Sequence, residues 1–152
     1  MINNEEHNEE IGNNHIATNT QNPIRTDAFE ISDEEKESID AEGAVLGSCL
    51  ASKEAVNYAF YHLPEDYFLE AKNKSLFLVY KRLFKAGMEV DPVTVLGSLS
   101  DHEKKKIGDK YVLHLAEAVP TALNVRHYVS LVRKKYVLAN LAERYDKAKA
   151  NP

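Results

Sequence analysis

The sequence predicts an all-α fold, in which a compact head of about six short helices is followed by one long C-terminal helix that projects from it. Apolar residues recur at the three- and four-residue spacing of amphipathic helices. One such stripe consists of Leu76, Phe77, Tyr80, Leu83 and Phe84. No useful stretch alternates between apolar and polar residues as strands do. Between Thr121 and Ala150, no Gly or Pro interrupts the chain.

The composition is that of a globular protein. The chain has 152 residues, of which 43 % are hydrophobic, and its net charge is −5. This length is enough for one domain with a hydrophobic core. No apolar run approaches the roughly 18 to 20 residues of a membrane-spanning helix, and the N-terminus lacks the pattern of a secretory signal. A single cysteine, Cys49, excludes an internal disulfide. We therefore expect a cytoplasmic protein with no membrane partner.

Residues 1–31 are expected to form an unfolded acidic extension, residues 32–120 the head, and residues 121–152 the long helix. Seven of the first 22 residues are Asn, and apolar residues are too few to offset the entropy of ordering. Residues 1–38 hold ten acidic and two basic side chains, against fourteen and seventeen in the remainder. The extension is interpreted as a solubilising tail, with a docking tail for a partner as the alternative.

The first helix is predicted at about residues 40–51, with Asp40 as its N-cap. Val45, Leu46, Cys49 and Leu50 share one face at helical spacing, as in an amphipathic core helix. Gly43 and Gly47 lie four residues apart on a neighbouring face. Because glycine disfavours helix interiors by about 1 kcal/mol relative to alanine, this pair indicates that another backbone packs closely there.

Local signals predict the other helices of the head. Ser52 is placed to cap a helix at about 53–62, and Pro64 to open a turn that buries two aromatic residues. Gly87 is expected to end a helix at about 72–86 in the left-handed conformation. Further N-caps are predicted at Asp91, at Ser100 (as a capping box with Glu103) and at Asp109.

The long helix is predicted from Thr121 to about residue 150, roughly 42 Å at 1.5 Å per residue. A head of this size is too small to cover such a helix, so its C-terminal half should project and seek a partner. The candidate partner interface consists of Val125, Tyr128, Leu131, Val132, Lys135, Leu138 and Tyr145. The alternative is that these side chains pack against the head or another helix of the same protein.

A second interpretation of the long helix is direct nucleic-acid binding. Its candidate contacts are Arg126, Arg133, Lys134, Lys135 and Arg144. The acidic total charge and the scarcity of aromatic residues among these bases argue against it.

No motif for catalysis, cofactor binding or metal binding is found, so no residue is assigned to any of these roles. The sequence lacks Gly-x-x-x-x-Gly-Lys-Ser/Thr, so no P-loop is present to hold a nucleotide. The six histidines form no His-x-x-x-His pair and none neighbours the cysteine. We expect this chain to have no enzymatic activity of its own.

Five segments, taken in order, resemble the N-terminal domain of DnaB-type replicative DNA helicases. They are Asp-Ala-Glu-Gly-Ala-Val-Leu-Gly-Ser at 40–48, Leu-Pro-Glu-Asp-Tyr-Phe at 63–68, Gly-Met-Glu-Val-Asp-Pro-Val-Thr-Val at 87–95, Tyr-Val-Leu-His-Leu-Ala-Glu at 111–117 and Val-Pro-Thr-Ala-Leu-Asn-Val at 119–125. The last continues with His127, Tyr128, Val132 and Arg133. A related helical domain lies at the C-terminus of bacterial primases, but these segments are more similar to the helicase domain.

The resemblance implies a helical head followed by a helical hairpin, hairpins that pair into dimers, and three dimers that form a collar on a hexameric ring. It implies primase as a partner and a helicase loader as a further one. ATP, Mg²⁺ and single-stranded DNA would belong to a motor domain that is absent here, as is the second hairpin helix. We therefore expect an interaction domain for DNA replication. The alternative is a stand-alone modulator that mimics this domain and binds helicase or primase.

Overall fold

The computed structural model describes residues 39–150, and this part of the chain contains helices and no strand. The expected extension at residues 1–31 lies outside it. Seven α-helices form the head and the long C-terminal helix that the sequence predicts. They are α1 (Ala41–Ala51), α2 (Lys53–His62), α3 (Ala71–Lys85), α4 (Pro92–Ser98), α5 (Asp101–Ile107), α6 (Asp109–Ala118) and α7 (Val125–Ala150), with a 3₁₀ turn at Glu65–Tyr67 between α2 and α3.

Helix α1 is the centre of the head. Asp40 caps it as predicted, since its carboxylate accepts from the backbone N–H of Gly43 at 3.1 Å. All nine residues from Glu42 to Leu50 are buried, because α2, α3, α6 and α7 pack around the helix. The four apolar residues predicted to face the core are buried, but the other faces of the helix are buried as well. The helix is therefore more deeply buried than an amphipathic helix would be.

The close backbone contact expected at the α1 glycines occurs at Gly47. A Cβ atom added there would lie 2.7 Å from Cγ2 of Val119 and 2.8 Å from the carbonyl oxygen of Leu115. Since one of these neighbours is backbone, the contact leaves no room for a larger residue. Glycine at this position therefore lets the end of α6 lie directly against α1.

One buried carboxylate joins α1 to the start of α3. Glu42 accepts hydrogen bonds from the backbone N–H groups of Leu69 and Glu70, at 2.7 and 3.3 Å, and from Nδ2 of Asn73 at 2.9 Å. The hydroxyl of Tyr111 donates to the other end of the Asn73 amide. The side chain of Glu70, the N-cap residue of α3, makes no capping bond. Glu42, from a distant position in the sequence, satisfies the backbone donors of the N-cap residue and of the residue before it.

The other predicted helix ends are largely confirmed. Ser52 accepts from the backbone of α2, Asp91 accepts from Thr94 at 2.8 Å, and Ser100 and Glu103 form the predicted capping box. Gly87, with φ of 75°, follows α3. The backbone N–H of Met88 donates to the carbonyl of Leu83, which completes a Schellman motif.

Two predicted helix starts were wrong. Gly108, with φ of 88°, takes the N-cap position of α6, so Asp109 is the first helical residue and not the cap. Helix α7 begins at Val125 and not at Thr121. The intervening residues form a turn in which the N–H of Val125 donates to the carbonyl of Ala122 at 3.2 Å.

Candidate interaction surface

The first three turns of α7 are anchored to the head. Val125, Val129 and Val132 are buried in the core formed with α1 and α2. One turn further on, the ring of Tyr136 stacks on that of Tyr67, with centroids 4.1 Å apart and an angle of 13° between the planes. At about 100° per residue these four side chains share one face of the helix. This face fixes the direction in which α7 leaves the head.

A second apolar face of α7 is exposed. Leu131, Leu138, Leu141 and Tyr145 are 38, 56, 57 and 67 % exposed. At about 100° per residue they cluster on the side of α7 roughly opposite the anchored face. Every residue from 141 to 150 is exposed. We name these four residues the outward face; the rest of the described chain leaves each of them at least 38 % exposed.

The seven residues predicted as a partner interface are divided between the two faces. Val125 and Val132 lie in the core, which is what the alternative interpretation expected of them, and Tyr128 is half-buried. Lys135 forms an ion pair with Asp40 at 3.6 Å. Only Leu131, Leu138 and Tyr145 lie on the outward face. The predicted stripe thus combined side chains from two faces that point in different directions.

The predicted basic contacts are divided in a similar way. The guanidinium of Arg126 lies over the ring of Tyr58, 4.6 Å from its centroid. Arg133 donates to the carbonyl of His62 at 2.7 Å and lies 5.6 Å from the ring centroid of Tyr67. Lys134 and Arg144 are exposed. Two of the arginines therefore lie beside aromatic residues of the head.

The described residues contain no group of three or more His, Cys, Asp or Glu side chains placed to hold a metal ion. Cys49 is fully buried, and burial raises the pKa of its thiol well above its usual range. A thiol held in its neutral form is a poor nucleophile, so Cys49 acts in packing. No helix among residues 39–150 is both long and apolar enough to cross a membrane.

Comparison with known proteins decides the family. The model of the DnaB-like helicase N-terminal domain matches residues 34–134, about two thirds of the chain. The chain belongs to this family. The DnaB-like assignment accounts for the arrangement described above, in which a helical head carries one long helix.

Named relatives agree with this assignment. Over 108 residues, 69 % of the chain, it is 41 % identical to the replicative DNA helicase DnaB of Geobacillus stearothermophilus. It is 31 % identical over 107 residues to the replicative DNA helicase DnaC of Bacillus subtilis. The chain spans about a quarter of the length of these curated relatives, 24 % in each case.

Solved structures support the fold. The crystal structure of the N-terminal domain of DnaB helicase from Mycobacterium tuberculosis matches with a TM-score of 0.66 and 31 % identity. The match covers 70 % of this chain and 76 % of that one. A 36-residue stretch, 24 % of this chain, is 58 % identical to GTP cyclohydrolase 1 of Flavobacterium johnsoniae, but covers only 16 % of that protein, which is too little to indicate a shared fold.

Sequence reasoning missed three residues that define the faces of α7 in this DnaB-like domain. Val129 and Tyr136 belong to the anchored face, and Leu141 belongs to the outward face. The signal was available: Val129 and Tyr136 follow Val125 and Val132 by four residues, and Leu141 follows Leu138 by three. Testing each apolar residue against two separate faces at about 100° per residue separates the sets.

Proposed function

We propose that this chain is the N-terminal interaction domain of a replicative DNA helicase and acts in DNA replication through protein–protein contacts. The family assignment supports this proposal, and the outward face of α7 is the observation that carries it. Four large apolar side chains on one face of a projecting helix remain in contact with water. Such a face marks a site of association.

The first partner that we propose is a second copy of this chain. The outward face is a narrow stripe of apolar residues, which is the geometry used when two helices pack along their length. Burying a large apolar side chain contributes about 1.5–3 kcal/mol. The four residues are already partly covered, so the gain from each is at the low end of this range. Self-association through α7 would assemble subunits of the ring.

Further partners follow from the proposed place in the helicase. Primase would dock on the assembled domains, and a helicase loader would be a further partner. ATP, Mg²⁺ and single-stranded DNA would be bound by a motor domain in the same assembly, and the domain itself would need no cofactor. The assembly would act in the cytoplasm.

The mass of the full 152-residue chain in solution tests the self-association. We expect the wild-type protein to exceed the 17.2 kDa of one chain, by sedimentation or light scattering, with little dependence on salt because the contact is apolar. The double variant Leu138→Asp with Leu141→Asp should be monomeric. A matched control, Leu113→Asp with Leu123→Asp, changes one leucine of α6 and one of the link between α6 and α7, which are 47 and 86 % exposed.

The control should associate as the wild type does, and all three proteins should have the same helical content by circular dichroism. A monomeric wild type at high concentration would refute self-association, and a double variant that still associated would remove the outward face from the interface. Binding of labelled primase from the same source to the three proteins would then show whether docking requires the assembled form.

A further inference from the structure

A cluster of aromatic and basic side chains lies where α2 meets α7. Its members are Tyr58, Tyr61 and His62 of α2, and Arg126 and Arg133 of α7; we name it the aromatic–arginine patch. The ring of His62 contacts both tyrosines, with centroid distances of 4.1 Å to Tyr58 and 4.9 Å to Tyr61. Arg126 lies over Tyr58, and Arg133 donates to the His62 carbonyl. The five residues are therefore contiguous.

The patch is open to solvent. Tyr61 is 85 % exposed, and both arginines are exposed. Beside it, a cleft of about 480 Å³ lies between α2 and the link from α6 to α7, and Tyr58 and Arg126 are among its lining residues. One acidic side chain, Glu54, also lines this cleft. Within the cleft, the guanidinium group of Arg126 is therefore accompanied by a single carboxylate.

We infer that the aromatic–arginine patch binds single-stranded nucleic acid. Proteins that bind single strands without sequence preference combine basic residues, which contact phosphates, with exposed aromatic rings, on which bases stack. Tyr61 offers an exposed ring for a base. Arg126, over the ring of Tyr58, and Arg133, at the carbonyl of His62, lie beside these rings and can contact the phosphates. Guanidinium groups suit this role because their planar donors match phosphate geometry.

An acidic peptide is the competing occupant. It would pair with the two arginines but would leave the nearly fully exposed ring of Tyr61 without a partner of matching shape. A strand of nucleic acid uses both components of the patch. The structure also weakens an objection to nucleic-acid binding raised by the sequence, because α2 adds aromatic residues to the few that lie among the α7 bases.

Fluorescence anisotropy with the full chain tests the inference, using a labelled oligothymidylate of about 20 nucleotides, longer than the site of a single small domain. Because stacking of one base on an aromatic ring contributes about 1–3 kcal/mol, Tyr61→Ala should weaken binding about fivefold or more. The matched control Tyr61→Phe keeps an aromatic ring at this position and removes only the hydroxyl group. It should leave oligonucleotide binding unchanged.

A second pair of variants separates specific contacts from general attraction. Arg126→Gln with Arg133→Gln removes two charges from the patch, and Lys134→Gln with Arg144→Gln removes two charges elsewhere on α7. The slope of log K against log salt is about −0.7 per phosphate contact for single strands. The patch variant should therefore flatten the slope by about 1.4, measured between about 50 and 200 mM salt. The control should leave it nearly unchanged.

Each other outcome overturns the inference. Wild-type protein that does not bind the oligonucleotide at about 50 mM salt refutes it. Equal weakening by both double variants would mean that binding is only diffuse charge attraction. Preferential binding of a poly-glutamate peptide, with no loss on Tyr61→Ala, would assign the patch to an acidic protein partner. Thermal unfolding of each variant checks that the head remains folded.

Discussion

Helix α1 and the distal part of α7, residues 137–150, differ in what covers them. In α1, nine consecutive residues are buried, including a charged one, Glu42. In distal α7, all residues but Asn140 are exposed, although the segment contains Leu138, Leu141 and Tyr145. Apolar residues alone therefore do not determine burial. What determines it here is whether other helices of the same chain surround the segment.

This difference separates stability from association in the molecule. Contacts of α1 with four other helices hold the head together, so substitutions there should lower the free energy of unfolding. Distal α7 contributes little to that free energy, because its side chains remain in water after folding. Its apolar residues instead remain available for another surface. Matched substitutions in well-packed and open parts of the fold test this separation.

The largest expected effect is that of Glu42→Ala. The change leaves two backbone N–H groups and the Asn73 amide without their acceptor. A buried donor that loses its partner costs about 1–3 kcal/mol. The Asn73 amide is buried and the two backbone N–H groups are partly buried, so the free energy of unfolding should fall by about 3 kcal/mol in all. The same substitution in distal α7, Glu143→Ala, removes only an exposed ion pair with Lys147, 3.0 Å apart. We expect it to change that free energy by less than about 0.5 kcal/mol.

Urea unfolding monitored by circular dichroism measures both variants on one scale. Equal losses of stability for Glu42→Ala and Glu143→Ala would contradict the separation of the two helices. A Glu42→Gln variant adds detail, because an amide oxygen can still accept one or two of the three hydrogen bonds. Its stability should lie between those of the wild type and Glu42→Ala.

A smaller effect is expected from Gly47→Ala. The added methyl group would lie within 2.8 Å of the Leu115 carbonyl oxygen and of Val119, and overpacking of this kind costs about 1–3 kcal/mol. At Gly97 in α4, an added Cβ would meet nothing within 4 Å. Gly97→Ala should therefore raise the free energy of unfolding by about 0.5 kcal/mol or more, through higher helix propensity.

The thermal unfolding midpoint should fall for Gly47→Ala and rise for Gly97→Ala. Such opposite changes would confirm that α1 and α6 are in backbone contact. If Gly47→Ala were as stable as the wild type, α6 would have to move away from α1 easily. The close packing described here would then not hold in solution.

Much of the fold was predictable because its signals are local. The caps at Asp40, Ser52 and Asp91 involve residues within three positions of each other in the sequence. The start of α7 was not predictable in this way, because Thr121 resembles an N-cap but the link forms a turn before Val125. Local chemistry thus predicted most helix ends but not every link.

The candidate surfaces were less predictable, because they depend on contacts between distant residues. Arg126 and Tyr58 are 68 positions apart, yet their side chains lie together. The bond from Leu69 to Glu42 spans 27 positions. The sequence showed that α7 has apolar and basic residues, but not which of them the head would cover. That division follows only from the three-dimensional packing.

The smallest effect concerns an ion pair whose solvent exposure is intermediate between that of the buried α1 and that of the exposed end of α7. Arg82 of α3 lies 2.8 Å from Glu103 of α5. Hydrogen bonds from Arg82, together with those from Ser100, lower the pKa of Glu103 from 4.5 to about 2. A carboxylate whose pKa is lowered by folding stabilises the protein above its unfolded pKa, and this stabilisation is lost as the pH falls towards the folded value.

Glu103→Gln should therefore lower the free energy of unfolding at pH 7, by less than about 1 kcal/mol because the arginine is half exposed to solvent. The difference from the wild type should shrink as the pH falls from 4.5 to about 2, since the Glu103 carboxylate becomes increasingly protonated and loses the charge that distinguishes it from the amide. The exposed Glu117 of α6 provides the control Glu117→Gln, which should follow the wild type throughout. A deficit for Glu103→Gln that stayed constant down to pH 2 would show that shape, and not charge, holds α3 to α5.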